Sequence, residues 1–193
     1  MTNALHDLTL AQAAELLRTR KLSPLEYVNH QIARTEALDV QLSAFITPTF
    51  DLARQQAQTA ETQIMAGDYR GPMHGIPFGA KDIYETAGIL TTGGSRTAQD
   101  YVPKKDAVVV SKLYGAGAVL LGKLNTHEFA HGGPSLDLPW PPVRNPWGLD
   151  RFSGGSSSGS GAAVAAGLVP AALGTDTGGS IRGPASLDRK SVV

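Results

Sequence analysis

The residues best suited to chemistry lie in a run of glycines and hydroxyl side chains at positions 154–186. The run begins GGSSSGSG, continues through the apolar segment AAVAAGLVPAAL, and ends GTDTGGSIRGPAS. A flexible glycine–serine linker carries no long apolar insert. Because the apolar segment has to be buried, the backbone that carries these hydroxyls must have a fixed position, and we predict a functional site here.

Ser180 is the candidate nucleophile of this run because it directly follows Gly178 and Gly179. Glycines permit positive φ and a close approach of the backbone. Successive backbone N–H groups in such a turn can point at one spot, where each stabilises a developing oxyanion by about 2.7–4 kcal/mol. The same pattern also fits a tight glycine turn that ends a strand, so the local sequence leaves both interpretations open.

Lys81 is the candidate base. It stands in GIPFGAKDI, whose apolar and small residues predict a buried strand. Burial removes hydration from an ammonium group and lowers its pKa, and a lysine that is neutral near pH 7 is a competent general base. No comparable motif surrounds Lys105, Lys112 or Lys123, and we expect these three to be solvated surface charges.

The run at 154–186 is similar, almost position by position, to the signature block of the amidase signature family. GIPFGAKDIYETAG likewise resembles the lysine motif of that family, so the likeness covers about residues 71–186. It implies an α/β fold with a mixed β-sheet flanked by helices. It also implies a Ser-cisSer-Lys triad in which Ser180 is the nucleophile, Ser156 the bridging residue and Lys81 the base.

The resemblance further implies two-step acyl transfer from a carboxamide, with release of ammonia or an amine and then hydrolysis of the acyl-enzyme. The bridging serine would follow a non-proline cis peptide bond at Gly155, with Ser157 hydrogen-bonded within the site. Backbone N–H groups would form the oxyanion hole, and the expected donors are Thr177, Gly178, Gly179 and Ser180.

This chemistry needs no cofactor and no metal. The partners that the resemblance implies are a small-molecule amide substrate and an amidotransferase-type complex. Family substrates range from small aliphatic and fatty amides to glutamine, and the sequence does not choose among them.

A zinc hydrolase is a lower alternative, because residues 127–131 read His-Glu-Phe-Ala-His. In an HExxH motif two histidines on one face of a helix bind zinc and the glutamate acts as base. A helix is expected to begin near Thr126, but Gly132 and Gly133 would end it at once. No histidine follows, so the third ligand would have to be a carboxylate.

Two other catalytic motifs fail on their context. Residues 155–159 match the GxSxG nucleophile elbow, whose catalytic histidine follows the serine in the chain; here all five histidines precede Ser157. The segment before it, NPWGLDRFSG, is also not expected to be a strand. Asp176-Thr177-Gly178 resembles the aspartic protease triplet, but no second copy exists. The glycines also match neither nucleotide-binding pattern.

Composition excludes several other classes. The chain has 193 residues, enough for one domain with a real core. Lys+Arg and Asp+Glu are 17 each, so neither nucleic acid nor an anionic membrane is an expected partner. Cysteine is absent, which excludes disulfides and thiolate catalysis. The N-terminus has no leader pattern and no long apolar run follows, so we expect a cytoplasmic protein.

The first 67 residues predict helices. Apolar residues at helical spacing begin after Thr9, an expected N-cap. Ser23 as N-cap, proline at the next position and Glu26 in a capping box predict the start of a second helix. After the extended piece AFITPTF, a third helix is expected over residues 51–67.

From Gly71 onward, short apolar runs alternate with helical patterns, which predicts strands in a mixed or parallel sheet. GIPFGAKDI and AVLLGKLN have the composition of buried strands, and AVVVSKLYGAG between them has helical spacing. Residues 132–153 are rich in proline and hold both tryptophans. We expect them to form an extended loop with anchored aromatic side chains.

The likeness to the family ends at Ser186, where LDRKSVV replaces the apolar strand that the resemblance implies. We therefore expect a single, incomplete amidase domain with N-terminal helices in 1–67, a catalytic core in 71–186 and a divergent tail in 187–193. Two outcomes stay open, an active amidase and a non-catalytic fragment. Exposed sheet edges would make either one prone to self-association.

Overall fold

The computed structural model describes residues 4–188, which form six α-helices and six β-strands. The helices are α1 (Leu10–Arg18), α2 (Pro24–Leu42), α3 (Phe50–Met65), α4 (Val108–Gly115), α5 (Ser158–Ala165) and α6 (Arg182–Leu187). The strands are β1 (Phe45–Pro48), β2 (Pro77–Lys81), β3 (Val119–Leu124), β4 (Arg144–Asn145), β5 (Gly148–Phe152) and β6 (Ala171–Leu173). None of the helices in this described part is both long enough and apolar enough to cross a bilayer.

Four of the strands form a mixed sheet in the order β1-β3-β2-β6. β3 pairs antiparallel with β1 and parallel with β2, and β2 pairs parallel with β6. The predicted α/β class with a mixed sheet is thus confirmed. The two central strands, β2 and β3, are buried at every position, which is why their residues, apart from Lys81 and Lys123, are apolar or small without alternation.

The N-terminal helices begin where their capping residues predict. The Thr9 hydroxyl accepts a hydrogen bond from the Gln12 amide, and the Gln12 side chain completes a capping box. The Ser23 hydroxyl accepts from the Glu26 amide at 3.2 Å. Glu26 does not reach back, so only the serine half of the expected box is present. α3 ends at Met65, two residues before the predicted Gly67, and Gly67 follows it with a φ of +90° that glycine adopts at little cost.

The helix expected from Thr126 is wrong. Residues Glu128–Ala130 form a single 3-10 turn, and Phe129 and Ala130 have φ values of +46° and +60°. Positive φ at two successive residues cannot continue a right-handed helix. Other segments of the chain bind the backbone of this turn. His127 donates its amide to the Ser156 carbonyl at 3.1 Å, and Phe129 donates to Gly93 at 2.7 Å.

The proline-rich region is also more ordered than expected. β4 and β5 pair antiparallel within it, so the segment that we expected not to be a strand does form one. Trp147 is 62% exposed, which contradicts an anchored apolar ring. Its indole N–H nevertheless donates to the Asp188 carbonyl at 2.9 Å, and Asn145 donates to the Leu187 carbonyl at 3.1 Å. These bonds attach the end of α6 to the hairpin. The remainder of the expected tail, residues 189–193, lies outside the described residues.

The start of α5 packs against the backbone of Ala44 and Asn125, so a substitution at Gly159 tests this packing. A Cβ atom at Gly159 would lie 2.4 Å from both the Ala44 carbonyl oxygen and the Asn125 nitrogen. We expect Gly159→Ala to lower the free energy of unfolding by about 1–3 kcal/mol, because backbone cannot move aside as a side chain can. Urea unfolding followed by circular dichroism measures this change.

Gly115→Ala is the matched control, since Gly115 ends α4 with nothing within 4 Å of the added methyl group. Helix propensity should make this variant neutral or up to about 1 kcal/mol more stable. Equal stability of the two variants would contradict the packing described here.

Candidate active site

Lys81 ends β2 in the middle of the sheet, and its side chain is completely buried. Its Nζ donates to Ser156 Oγ at 2.7 Å and to Thr175 Oγ1 at 2.8 Å. Both acceptors are neutral hydroxyls. Burial therefore lowers the pKa of Lys81 to about 8, and only the more distant charge of Asp176 opposes this shift. A lysine with this pKa is partly neutral near physiological pH.

Ser156 is nearly buried, at 3% exposure. It follows a cis peptide bond at Gly155–Ser156, as predicted. The Ser156 carbonyl accepts from the His127 amide at 3.1 Å and from Thr126 Oγ1 at 3.0 Å. The loop after β3 therefore holds the backbone of Ser156 while β2 supplies its lysine partner.

Ser180 lies in the turn after β6 and is half-buried. Its carbonyl accepts from the amide of Ser157 at 3.1 Å, which places its backbone beside the loop that carries Ser156. Within residues 4–188, no hydrogen bond joins the hydroxyls of Ser156 and Ser180. The structure thus brings the predicted triad side chains of Lys81 and Ser156 into contact. Ser180 lies in a neighbouring loop, joined to the Ser156 loop through the Ser157 amide.

The carboxylate of Asp176 organises the turn that contains Ser180. It accepts backbone N–H bonds from Gly179 at 2.8 Å, Ile181 at 3.1 Å and Arg182 at 3.0 Å. The Arg182 guanidinium makes two further bonds to it, at 3.0 and 3.1 Å. Hydrogen bonds from Arg182 hold the pKa of Asp176 well below its usual range. The carboxylate is therefore ionised at any pH where the site could work.

These contacts bear on the predicted oxyanion donors. The N–H group of Gly179 is directed at Asp176 in this structure. The N–H groups of Thr177, Gly178 and Ser180 form no hydrogen bond to any of residues 4–188. They are the donors that remain available to a ligand in this turn.

Ser157 hydrogen-bonds within the site, as predicted. Its hydroxyl accepts from the Thr175 amide at 3.2 Å and donates to the Thr175 carbonyl at 3.3 Å. Thr175 in turn accepts from Lys81, although sequence reasoning did not select it. A signal existed: β6 runs parallel to β2, so the residues that follow the two strands meet at one edge of the sheet.

Lys123 corrects a second expectation. It is completely buried, not a solvated surface charge, whereas Lys105 and Lys112 are exposed as predicted. Its Nζ lies 3.2 Å from the carboxylate of Asp82, which is also completely buried. Burial lowers the pKa of Lys123 and raises that of Asp82, and each charge opposes the shift of the other. The clue in the sequence was that AVLLGKLN is a strand buried on both faces, which leaves no solvent for a lysine within it.

The histidines of the HExxH sequence do not share a helical face. His127 is 8% exposed and its Nδ1 lies 3.1 Å from the Gly132 carbonyl oxygen, whereas His131 is exposed. Glu128 accepts a hydrogen bond from Ser95 at 2.6 Å. The geometry on which the zinc motif depends is therefore not formed. Residues 4–188 contain no cluster of three or more potential metal-binding side chains.

Comparison with known proteins agrees with the fold. The sequence profile of the Amidase family matches residues 26–189, so the chain belongs to the amidase signature family, whose characterised members act on carbon–nitrogen bonds of amides. Among curated relatives, the glutamyl-tRNA(Gln) amidotransferase A subunit of Roseiflexus sp. (strain RS-1) is 49% identical over 183 residues.

Solved structures of the family superimpose closely. A bacterial aryl acylamidase has a TM-score of 0.87 at 36% identity over 94% of this chain, and fatty acid amide hydrolase has a TM-score of 0.89 at 28% identity over 94% of this chain. The alignment with the Roseiflexus protein covers 95% of this chain. The chain spans 37% of that protein, 38% of the acylamidase and 32% of the fatty acid amide hydrolase.

The contact between His127 and Gly155 generates a prediction. A Cβ atom at Gly155 would lie 2.2 Å from His127 Cε1 and 2.3 Å from Nε2, so the imidazole occupies the space of a side chain. We expect Gly155→Ala to lower the free energy of unfolding by about 1–3 kcal/mol. In a His127→Ala background the same change should cost clearly less, because the colliding ring is gone.

Chemical denaturation of the parent, the two single variants and the double variant gives the coupling energy between these sites. Additive effects would show that the ring does not rest on Gly155.

Proposed function

We propose that this chain carries the acyl-transfer site of an amide hydrolase, with Ser180 as nucleophile, Ser156 as bridging residue and Lys81 as base. The observation that carries the proposal is the fully buried Lys81 amine, which lies 2.7 Å from Ser156 Oγ and contacts no carboxylate of residues 4–188. A neutral amine in that position can accept a proton from a hydroxyl, whereas a solvated lysine would be protonated.

The proposed reaction has two half-reactions. Lys81 accepts the proton of Ser156, Ser156 accepts that of Ser180, and Ser180 Oγ forms a bond to the carboxamide carbon. The proton then returns through the same relay to the leaving nitrogen as the C–N bond breaks, which leaves an ester on Ser180. Water adds to that ester with its proton taken by the relay, and the carboxylic acid and free Ser180 are released.

Charge on the carbonyl oxygen needs donors in both half-reactions. We assign this role to the backbone N–H groups of Thr177, Gly178 and Ser180, which have no competing partner within residues 4–188. Gly179 would join them if its N–H turned from the carboxylate of Asp176. Apart from the substrate and water, this scheme uses only groups of this chain.

The substrate is proposed as a carboxamide, the group shared by the chemistry of the relatives. The identity of 49% to the Roseiflexus amidotransferase protein favours a second role in which ammonia is released from an amide for use by an amidotransferase-type complex. We further propose that residues 71–186 form the catalytic core and residues 1–67 an N-terminal helical support, all within one domain.

A fluorophosphonate probe tests the proposal directly. We expect one adduct on the purified chain by intact-mass spectrometry, located on Ser180 by peptide mapping. Ser180→Ala should abolish it, and Lys81→Met should slow it at least about a hundredfold, in the range of general-base catalysis.

Ser186→Ala is the matched control, since Ser186 is an exposed hydroxyl in α6, and it should be labelled at the parent rate. A folded parent chain that takes up no probe would overturn the proposal and leave a non-catalytic fragment.

The pKa of Lys81 sets the pH dependence of this labelling. The base must be neutral, and the pKa is lowered to about 8. The rate should therefore rise about tenfold per pH unit below this value and level off above it. The profile is measured by quenching the labelling reaction at successive times in buffers between pH 5.5 and 9.5 and determining the labelled fraction by mass spectrometry. Lys81→Arg removes the titration because a guanidinium stays protonated. A flat parent profile would exclude Lys81 as the base.

A further inference from the structure

A buried ion pair lies on the opposite face of the sheet from the Lys81 amine. Ala80 of β2 is in register with Lys123 of β3, and side chains alternate between faces along a strand. Asp82 and Lys123 therefore share one face and Lys81 projects from the other. Both members of the pair are completely buried and 3.2 Å apart. The proposed reaction gives them no chemical step.

Each member of the pair also binds the segment that follows Lys81. Lys123 Nζ donates to the Tyr84 carbonyl at 2.8 Å and to Thr91 Oγ1 at 2.5 Å. Asp82 Oδ2 accepts from the Thr92 amide at 2.8 Å and from the Thr92 hydroxyl at 2.6 Å. Through these hydrogen bonds, Asp82 after β2 and Lys123 in β3 hold both ends of the loop at residues 84–92.

Tyr84 extends this network to the other side of the site. Its hydroxyl donates to the Gly174 carbonyl at 2.8 Å. Gly174 directly precedes Thr175, whose hydroxyl accepts from Lys81 at 2.8 Å. Tyr84 therefore connects two parts of the site. Its carbonyl accepts from Lys123, and its hydroxyl binds the strand end next to Thr175.

We propose that Asp82, Lys123 and Tyr84 are positioning residues that hold the Lys81 amine on Ser156 and Thr175. A buried ion pair is weak evidence for added stability, because desolvation offsets the attraction between its charges. Its value here is geometric. The network determines the direction of the chain on leaving β2 and the distance between that chain and the loop after β6.

This inference rests on the proposed function only in giving Lys81 the role of base. Two measurements keep the inferences separate. The first is the fluorophosphonate reaction, resolved into its limiting rate kinact and its half-saturating concentration KI. The second is the rate at which acetic anhydride modifies the Lys81 amine in the folded chain, followed by peptide mass spectrometry, which needs no catalytic activity.

Tyr84→Phe removes one hydroxyl and is the mildest test. We expect kinact to fall about tenfold, because small displacements of a reacting group are costly, with KI within about twofold of the parent value. Acetylation of Lys81 should become severalfold faster. Tyr101→Phe is the matched control, because the exposed Tyr101 hydroxyl binds Glu85 on the surface, and it should change neither readout.

The ion pair is tested with both charges removed, since Lys123→Met alone would leave a buried carboxylate unpaired and destabilise the fold. Asp82→Asn with Lys123→Met should unfold cooperatively, show a kinact at least about tenfold lower at unchanged KI, and acetylate faster at Lys81. Lys112→Met, at an exposed position in α4, is the control.

Parent values of kinact and of Lys81 acetylation in both Tyr84→Phe and the paired variant would overturn the positioning role. If the parent chain takes up no fluorophosphonate, the proposed function fails and acetylation alone decides. Faster modification of Lys81 in the variants then supports positioning, and unchanged rates reject it.

Discussion

The burial of one amine between two hydroxyls is the constraint on which the site depends. The ammonium form of Lys81 has hydroxyl partners but no adjacent carboxylate in the part of the chain that the structure describes. Its charge is therefore poorly compensated and its pKa falls. A carboxylate in place of Thr175 would stabilise the ammonium form of Lys81 and raise its pKa, so that the amine would no longer act as a base near neutral pH. The surrounding structure therefore has to exclude water from the amine and keep anions at a distance, and Asp176 is held away by its bonds to Arg182 and to the turn of Ser180.

Excluding water requires close packing of backbone, and small residues make it feasible. A Cβ atom at Gly79 would lie 2.4 Å from Leu124 Cδ1, and one at Gly122 would lie 2.7 Å from the Thr47 carbonyl oxygen. Gly159 meets backbone in the same way. These glycines bring β1, β2, β3 and α5 close enough to enclose the lysine. Low side-chain volume thus serves the chemistry through packing, both in the central strands and at Gly159 of the signature run.

Two errors of prediction have the same physical origin. Lys123 was expected in solvent because lysines usually are, and Thr126 was expected to start a helix because the following residues are compatible with one. In both places the conformation or the burial of the residue depends on contacts with a segment that is distant in the sequence. Asp82 and the loop at residues 84–92 supply partners for a buried ammonium. The carbonyls of Gly93 and Ser156 bind the amides of Phe129 and His127 and hold this segment in a non-helical turn. Local pattern contains no information on such partners.

The sequence by itself determined several helices and strands and the residues that could carry out chemistry. Capping residues marked the starts of α1 and α2, and apolar runs marked β2 and β3. The lysine motif selected Lys81, and the run at 154–186 selected Ser156 and Ser180. Only the tertiary structure decided which of these groups touch. It joined Lys81 to Ser156, added Thr175 and Tyr84, and turned the Gly179 amide toward Asp176. The reason is that parallel strands bring together residues far apart in the chain, and their pairing depends on packing that no local pattern encodes.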